Sequence, residues 1–414
     1  MRERKRLIEK IITFSLPLLF IIIVVSVLVL QPRAAKVHQQ EIEAEEEIAV
    51  INSEPELVIE RQQTDFDSEQ VEEWLSSMSL EEKIAQMFII TPEALTGTDD
   101  VTAAGETTKS AYETYPVGGL IYFENNIQTE YQITEMLTNM MTISKERVGV
   151  PVFLSIDEEG GTVARTVNSG AINEQTEAML ILGQSEAVQK AYAVGEQIGG
   201  YLKPLGFNLN FAPVADVLDD ETNTVIGNRS FGTDPELVAK MVAEAVKGFK
   251  SQGILTTLKH FPGHGATTVD SHLGYAANDK SKEELETGEW LPFAAGITAG
   301  TDMIMVGHIA LPKVTDEETP ATLSKVIITD ILRKEMGYSG VIITDAMNMG
   351  AITTSYDAET AVVQAIKAGV DMILMPEDFV TAYHAVIAAV QTGEISEQQI
   401  EESVTRILRI KAGL

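Results

Sequence analysis

Ile254-Leu255-Thr256-Thr257-Leu258 runs directly into Lys259-His260-Phe261-Pro262-Gly263-His264-Gly265, and after Ala266-Thr267-Thr268-Val269 comes Asp270-Ser271-His272. The apolar and β-branched run reads as a buried strand, and Gly and Pro then force a loop. A Lys, three His and an Asp fall within residues 259–272 of a chain that has only six His. Titratable groups on the loop that leaves the C-terminal end of a strand are where barrels of alternating strands and helices keep their chemistry.

Seven further short apolar runs accompany this one: Met87–Ile90, Leu120–Phe123, Val152–Ile156, Leu209–Ala212, Met303–Val306, Val341–Thr344 and Met372–Leu374. Each is continuous rather than alternating, as expected of strands covered on both faces. Helical patterns lie between most of them, at Pro235–Ser251, Ser324–Met336, Ala358–Ala368 and Thr381–Gln391. Ser396–Ala412 closes the chain, with Ser396 placed to cap and Ile400, Val404, Ile407 and Leu408 on one face. Eight such units predict an α/β fold, a (β/α)8 TIM-type barrel over residues 71–414, with a doubly wound sheet as the alternative.

The N-terminal part has a different composition. Residues 1–10 are basic, and Ile11–Leu30 carries no charge over the twenty residues a spanning helix needs. Basic flanking residues keep that end in the cytoplasm. The expectation is therefore a single-pass signal-anchor at 11–30 with the remainder outside the cell membrane. Cleavage as a signal peptide, giving a secreted protein, is the alternative, although Arg33-Ala34-Ala35 is a poor cleavage site. Residues 31–70 are Glu- and Gln-rich and read as an acidic stalk. The chain has no Cys, which excludes disulfides, thiolate nucleophiles and lipidation at Cys. After Lys36 there are 23 basic and 60 acidic residues, a net −37 that argues against nucleic acid as a partner.

The residues just past the strands are unusually polar. Strand three ends in Asp157-Glu158-Glu159-Gly160-Gly161, with Arg165 soon after, and strand four leads to Asp216 and then Gly227-Asn228-Arg229-Ser230-Phe231-Gly232. Strand six ends in Gly307-His308 and strand seven in Asp345. Carboxylates, Arg, Lys and His converging on one rim suit a polyhydroxylated ligand, because each hydroxyl wants both a donor and an acceptor. Position alone leaves Asp345 open as a nucleophile, a metal ligand or the cap of the following helix. In Asp270-x-His272 the carboxylate can orient the imidazole and raise its pKa, or simply brace the loop. Three His and an Asp would also form a zinc donor set, but their spacing is that of a loop with Lys inside it.

These pieces together resemble glycoside hydrolase family 3, in its β-N-acetylglucosaminidase branch and in a single-domain form. The matching segments are Asp157–Gly161 with Arg165, Asn208–Asp216, Gly227–Gly232, Lys259–Gly265 with Asp270-Ser271-His272, and Thr344-Asp345-Ala346, spanning about Ser79 to Leu414. The resemblance implies that Asp345 is the catalytic nucleophile and that His272, assisted by Asp270, is the general acid/base. It further implies that Asp157, Arg165, Arg229, Lys259 and His260 bind a terminal N-acetylglucosamine. Glu158 stands where many members have Gln, and Thr162 where Arg is frequent. The match is to a form without the second domain of many members, so the expectation is that an acid/base Glu drawn from that domain is not the pattern here.

The expected activity is exo-acting, retaining removal of N-acetylglucosamine from peptidoglycan fragments (muropeptides), with no metal or organic cofactor and a monomeric catalytic domain. Alternatives are a related phosphorylase, a β-glucosidase, or a non-catalytic, membrane-anchored protein that binds cell wall.

Overall fold

The computed structural model describes residues 68–219, 222–267 and 274–414. The expected membrane anchor and nearly all of the stalk lie outside the described residues, as do Asp270 and His272. Among the described residues no helix is long and apolar enough to cross a membrane.

Eight strands form the central sheet: β1 Phe88–Ile90, β2 Gly119–Tyr122, β3 Phe153–Ile156, β4 Leu209–Asn210, β5 Leu255–Phe261, β6 Met303–Val306, β7 Val341–Thr344 and β8 Ile373–Leu374. All neighbouring pairs are parallel, and the order runs β7-β6-β5-β4-β3-β2-β1-β8. A parallel bridge from Ile343 to Met372 joins the two ends. The sheet therefore nearly closes on itself in sequence order, which is the barrel topology and not the doubly wound one. Each strand coincides with one of the eight apolar runs. Ile89, Leu120, Leu154, Ile304 and Ile342 are all buried, as strands lined by helices outside and packed side chains inside must be.

The wall is thin at β4, which is only two residues long. Buried side chains stand in there for missing main-chain partners. Asn208 accepts from the Leu154 N–H at 2.8 Å and donates to the Val152 carbonyl at 3.0 Å. Asn210 accepts from the Glu158 N–H at 2.9 Å and donates to the Glu158 carbonyl at 2.8 Å. An Asn amide carries the same donor and acceptor as a peptide group, so Asn208-Leu209-Asn210 continues the ladder on β3 by its side chains.

Helices Pro235–Ser251, Ala358–Ala368 and Glu397–Lys411 fall where the apolar periodicity puts them, the last capped by Ser396. The helix expected at Thr381 starts at Phe379, because Asp378 caps it by accepting from the Thr381 N–H at 2.8 Å. The helix expected from Ser324 spans Val326–Glu335. A helix at Ser68–Ser77 begins within the segment read as stalk and buries Val71. Two small ribbons decorate the rim. Glu158–Gly160 pairs antiparallel with Val163–Ala164, and Ala276–Ala277 pairs parallel with Ile309–Ala310.

At the opposite end of the barrel the closing helix buries a lysine. Lys411 Nζ donates to Gln86 Oε1 at 2.7 Å and sits 4.8 Å from the centre of the Phe153 ring. Burial drives its pKa well below the ordinary lysine value. The folded chain then binds fewer protons than the unfolded chain between that depressed value and about 10.4. Stability contributed at this site consequently rises with pH across the window, by up to about 1.4 kcal/mol per pH unit. Thermal melts of the native chain and of Lys411→Met between pH 7 and pH 10 should show the native chain gaining on the variant as pH rises. A gap that stays constant would mean that Lys411 keeps its proton when buried.

Candidate active site

The C-terminal ends of β3, β4, β5 and β7 meet at one cleft of about 310 Å³, lined by Asp157, Glu159, Arg165, Arg229, Lys259, His260, His264 and Asp345 among others. Its charged wall is built around Lys259, at the end of β5. Lys259 Nζ lies 2.5 Å from Asp157 Oδ1 and 2.6 Å from Glu159 Oε1. Asp157 and Glu159 are two apart along an extended segment, so both carboxylates face the same side. Glu159 also receives a two-pronged grip from Arg229, with Nε to Oε2 at 2.8 Å and Nη2 to Oε1 at 2.7 Å. Burial alone would discharge these groups. For Lys259, Asp157 and Glu159 outweigh burial and raise its pKa above the usual lysine value. For Glu159, Arg229 and Lys259 outweigh burial and hold the carboxyl well below the usual range.

A second carboxylate, Asp216, organises the residues after Lys259. It is fully buried and accepts from the backbone N–H of His264 at 2.7 Å and from that of His260 at 3.2 Å. Its Oδ2 lies 2.7 Å from His260 Nδ1. Burial opposes its charge, but His260 and His264 prevail and its pKa falls. Since a carboxylate only accepts, His260 Nδ1 carries the hydrogen and Nε2 is the atom left to meet a ligand. Burial, and then repulsion from His260, lower the pKa of His264, and its Nδ1 is 2.8 Å from Thr267 Oγ1. Gly265 allows this loop to sit down on the exit of β4, because a Cβ there would lie 1.6 Å from the Val217 carbonyl oxygen. The Lys259–His260 and Phe261–Pro262 peptides are both cis.

Asp345 follows β7 and is half-buried, with Oδ1 accepting from the Ala346 N–H at 2.8 Å. It caps no helix, since Gly350–Thr353 starts after Met349 and takes no bond from the carboxylate. Burial pushes its pKa up, but His260, His308, the Ala346 N–H and Lys259 together bring it below the ordinary value. It is therefore an anion at neutral pH. His308 is pinned between Thr322 Oγ1 (2.8 Å from Nδ1) and the Ala346 carbonyl (3.0 Å from Nε2), so it braces the turn that carries Asp345.

Arg165 opens the short helix Arg165–Asn168. Its Nη1 is 3.2 Å from Glu124 Oε1, and its guanidinium stands 5.6 Å from the centre of the Phe123 ring. The same cleft also has apolar lining, from Ile121, Met305, Met349, Leu374 and Met375.

The cleft thus brings together Asp157, Arg165, Arg229, Lys259, His260 and Asp345 from the sequence reading. Asp270 and His272 fall on 268–273, outside the described residues. Among the described residues no group of three or more His, Asp or Glu is arranged to hold a metal ion. Glu159, Asp216 and His308 were visible in the sequence as rim residues but had no assigned role. The two-residue spacing of Asp157 and Glu159 was the available signal for the first.

Glu159→Gln should leave Lys259 and Arg229 short of charge and cost on the order of 3 kcal/mol in urea unfolding at pH 7. A carboxyl with a depressed pKa contributes fully above the ordinary value of about 4.3 and loses its contribution as pH falls toward the folded value. The gap between native and variant should therefore narrow below about pH 4.

The glycosyl hydrolase family 3 N-terminal domain matches residues 79–410. Beta-hexosaminidase A of Pseudoalteromonas piscicida is 36% identical over 323 residues, covering 72% of this chain and 54% of that protein. A beta-hexosaminidase of Stenotrophomonas maltophilia (strain R551-3) is 34% identical over 276 residues, covering 65% of this chain and 80% of its own length. The solved family 3 beta-N-acetylglucosaminidase of Paenibacillus sp. str. FPU-7 superposes with a TM-score of 0.75 at 37% identity, covering 81% of this chain and 62% of that one. The chain spans about half the length of the first of these relatives. With the family match extending over most of the chain and the barrel carrying its rim of charged residues, this protein belongs to glycosyl hydrolase family 3.

Proposed function

We propose that the protein is an exo-acting, retaining β-N-acetylglucosaminidase that removes terminal N-acetylglucosamine from peptidoglycan fragments. The observation that supports this most is the placement of Asp345. It is an ionised, half-buried carboxylate at the end of β7, in a cleft that also holds the Asp157–Lys259–Glu159–Arg229 array. A lining of mixed polar and apolar character fits a sugar that carries both hydroxyls and a methyl-bearing acetamide. Asp157, Lys259, His260 and Arg165 offer acceptors and donors to hydroxyls, while Met305, Met349 and Met375 offer an apolar surface.

In this reading Asp345 attacks the anomeric carbon as the bond to the leaving oxygen breaks, and the leaving oxygen takes a proton from His272. The product is a glycosyl ester on Asp345. Neutral His272, aided by Asp270, then removes a proton from water as the water oxygen displaces the Asp345 carboxylate and regenerates the site. Hydrolysis rather than phosphorolysis follows if water alone suffices as acceptor. The uncharged run 11–30 supports placing the barrel outside the membrane, where such fragments arise.

The test is release of 4-nitrophenol from its β-N-acetylglucosaminide by the native chain and by Asp345→Ala. The native chain should turn over without added phosphate, prefer this substrate to the β-glucoside, and release the β-anomer first. Asp345→Ala should lose at least about a thousandfold in kcat while melting normally. A folded variant with near-native turnover would remove Asp345 as nucleophile. A folded native chain with no turnover would favour a binding role.

A further inference from the structure

We propose that Glu158, which lies behind the cleft wall and not in it, is a positioning residue that sets where Arg165 stands. This rests on the reading above that Arg165 holds a substrate hydroxyl.

Asp157, Glu158 and Glu159 are consecutive carboxylates with opposite duties. Strand alternation sends Asp157 and Glu159 to Lys259, and it sends Glu158 the other way, into the body of the protein. There its side chain is fully buried and saturated with donors. Oε2 accepts from the Thr166 N–H at 2.9 Å, and Oε1 accepts from the Thr166 hydroxyl at 2.7 Å and the Tyr201 hydroxyl at 3.0 Å. Its own N–H and carbonyl are both held by Asn210. Glu158 thus ties three things together: β4 through Asn210, the long helix Val188–Leu205 through Tyr201, and the residue immediately after Arg165.

Arg165 needs such a fixture. Among the described residues its side chain is held only by a 3.2 Å contact to the exposed Glu124 and a cation–ring contact with Phe123. Its Nε is buried and has no hydrogen-bond partner among the described residues. A buried N–H left open at a cleft wall is costly unless a ligand oxygen completes it. The segment before it, Gly160-Gly161, takes left-handed backbone at φ +94 and +59 and offers the strap no side-chain anchor of its own. Together with the backbone ribbon that pairs Glu158 with Ala164, the grip of Glu158 on Thr166 fixes the guanidinium's starting point. An uncharged amide of the same shape can do most of this. Its oxygen accepts from the Thr166 N–H, and its NH2 donates to either hydroxyl, each of which also accepts.

The test is a double-mutant cycle on the full chain, with KM and kcat measured on 4-nitrophenyl β-N-acetylglucosaminide. Arg165→Ala should raise KM by about tenfold, the worth of one charge-assisted hydrogen bond. Glu158→Ala should raise KM by a similar factor with kcat within about threefold, and Glu158→Gln should restore KM to within about threefold of native. In the Arg165→Ala background Glu158→Ala should add less than about twofold. Tyr201→Phe removes one donor and keeps the ring. Should Glu158→Ala fail to fold, it carries the same comparison with a smaller rise in KM that also vanishes without Arg165. The proposal falls if the Glu158 or Tyr201 variants raise KM equally with and without Arg165, or if they lower only kcat and melting temperature. If Arg165→Ala alone leaves KM unchanged, the assignment of Arg165 to the sugar fails first, and that arm shows it independently of Glu158.

Discussion

A lysine ammonium taken out of water between two carboxylates is the constraint on which this rim is built. Lys259 is almost entirely buried, and an unpaired cation there would lose its proton or open the structure. Asp157 and Glu159 must both reach it, which fixes the exit of β3 against the exit of β5 across the two-residue β4. Glu159 cannot serve Lys259 alone, because its second oxygen would then be stranded. Arg229 completes it and so draws the loop after β4 into the same wall. One buried charge on β5 thereby joins two further segments of the chain to its own.

The other buried carboxylates divide the remaining work without competing. Asp216 spends its acceptors on His260 and His264, which ties the exit of β5 to the segment after β4. Glu158 spends its own on the strap behind the cleft. Among the described residues Asp345 takes only the neighbouring Ala346 N–H, and it lines the cavity. That contrast in saturation, more than depth of burial, separates the carboxylate suited to react from those that hold the frame.

Much of this was legible in the sequence for a simple reason. Strands covered on both faces must be short apolar runs, and the residue that ends each one has few places to point except the rim. Val341–Thr344 followed by Asp345 and Leu255–Leu258 followed by Lys259 and His260 could be read in that way. Two-state choices such as Asp345 as cap or as cavity residue needed the structure, because capping depends on where the next helix starts, and Met349 takes that place. The bond between Glu159 and Arg229 joins residues 70 apart, and nothing local in either segment announces it. The side-chain ladder of Asn208 and Asn210 and the burial of Lys411 escaped for the same reason. Each is a polar residue at a position where composition alone says surface, reversed by a partner far along the chain.

The distant partner of Lys411 has a further bearing, on the order of events as the chain is made. Gln86 precedes the first strand, yet the amine that satisfies it comes 325 residues later. β1 likewise waits for β8, since Phe88 pairs with Ile373. An N-terminal half emerging from the ribosome would present one edge of β1 unpaired and the Gln86 side-chain oxygen without Lys411, although the Gln86 amide can already donate to the Pro116 carbonyl. The seam of this barrel can be completed only after β8 and residues 397–411 have been made, so its two edges stay open for most of synthesis.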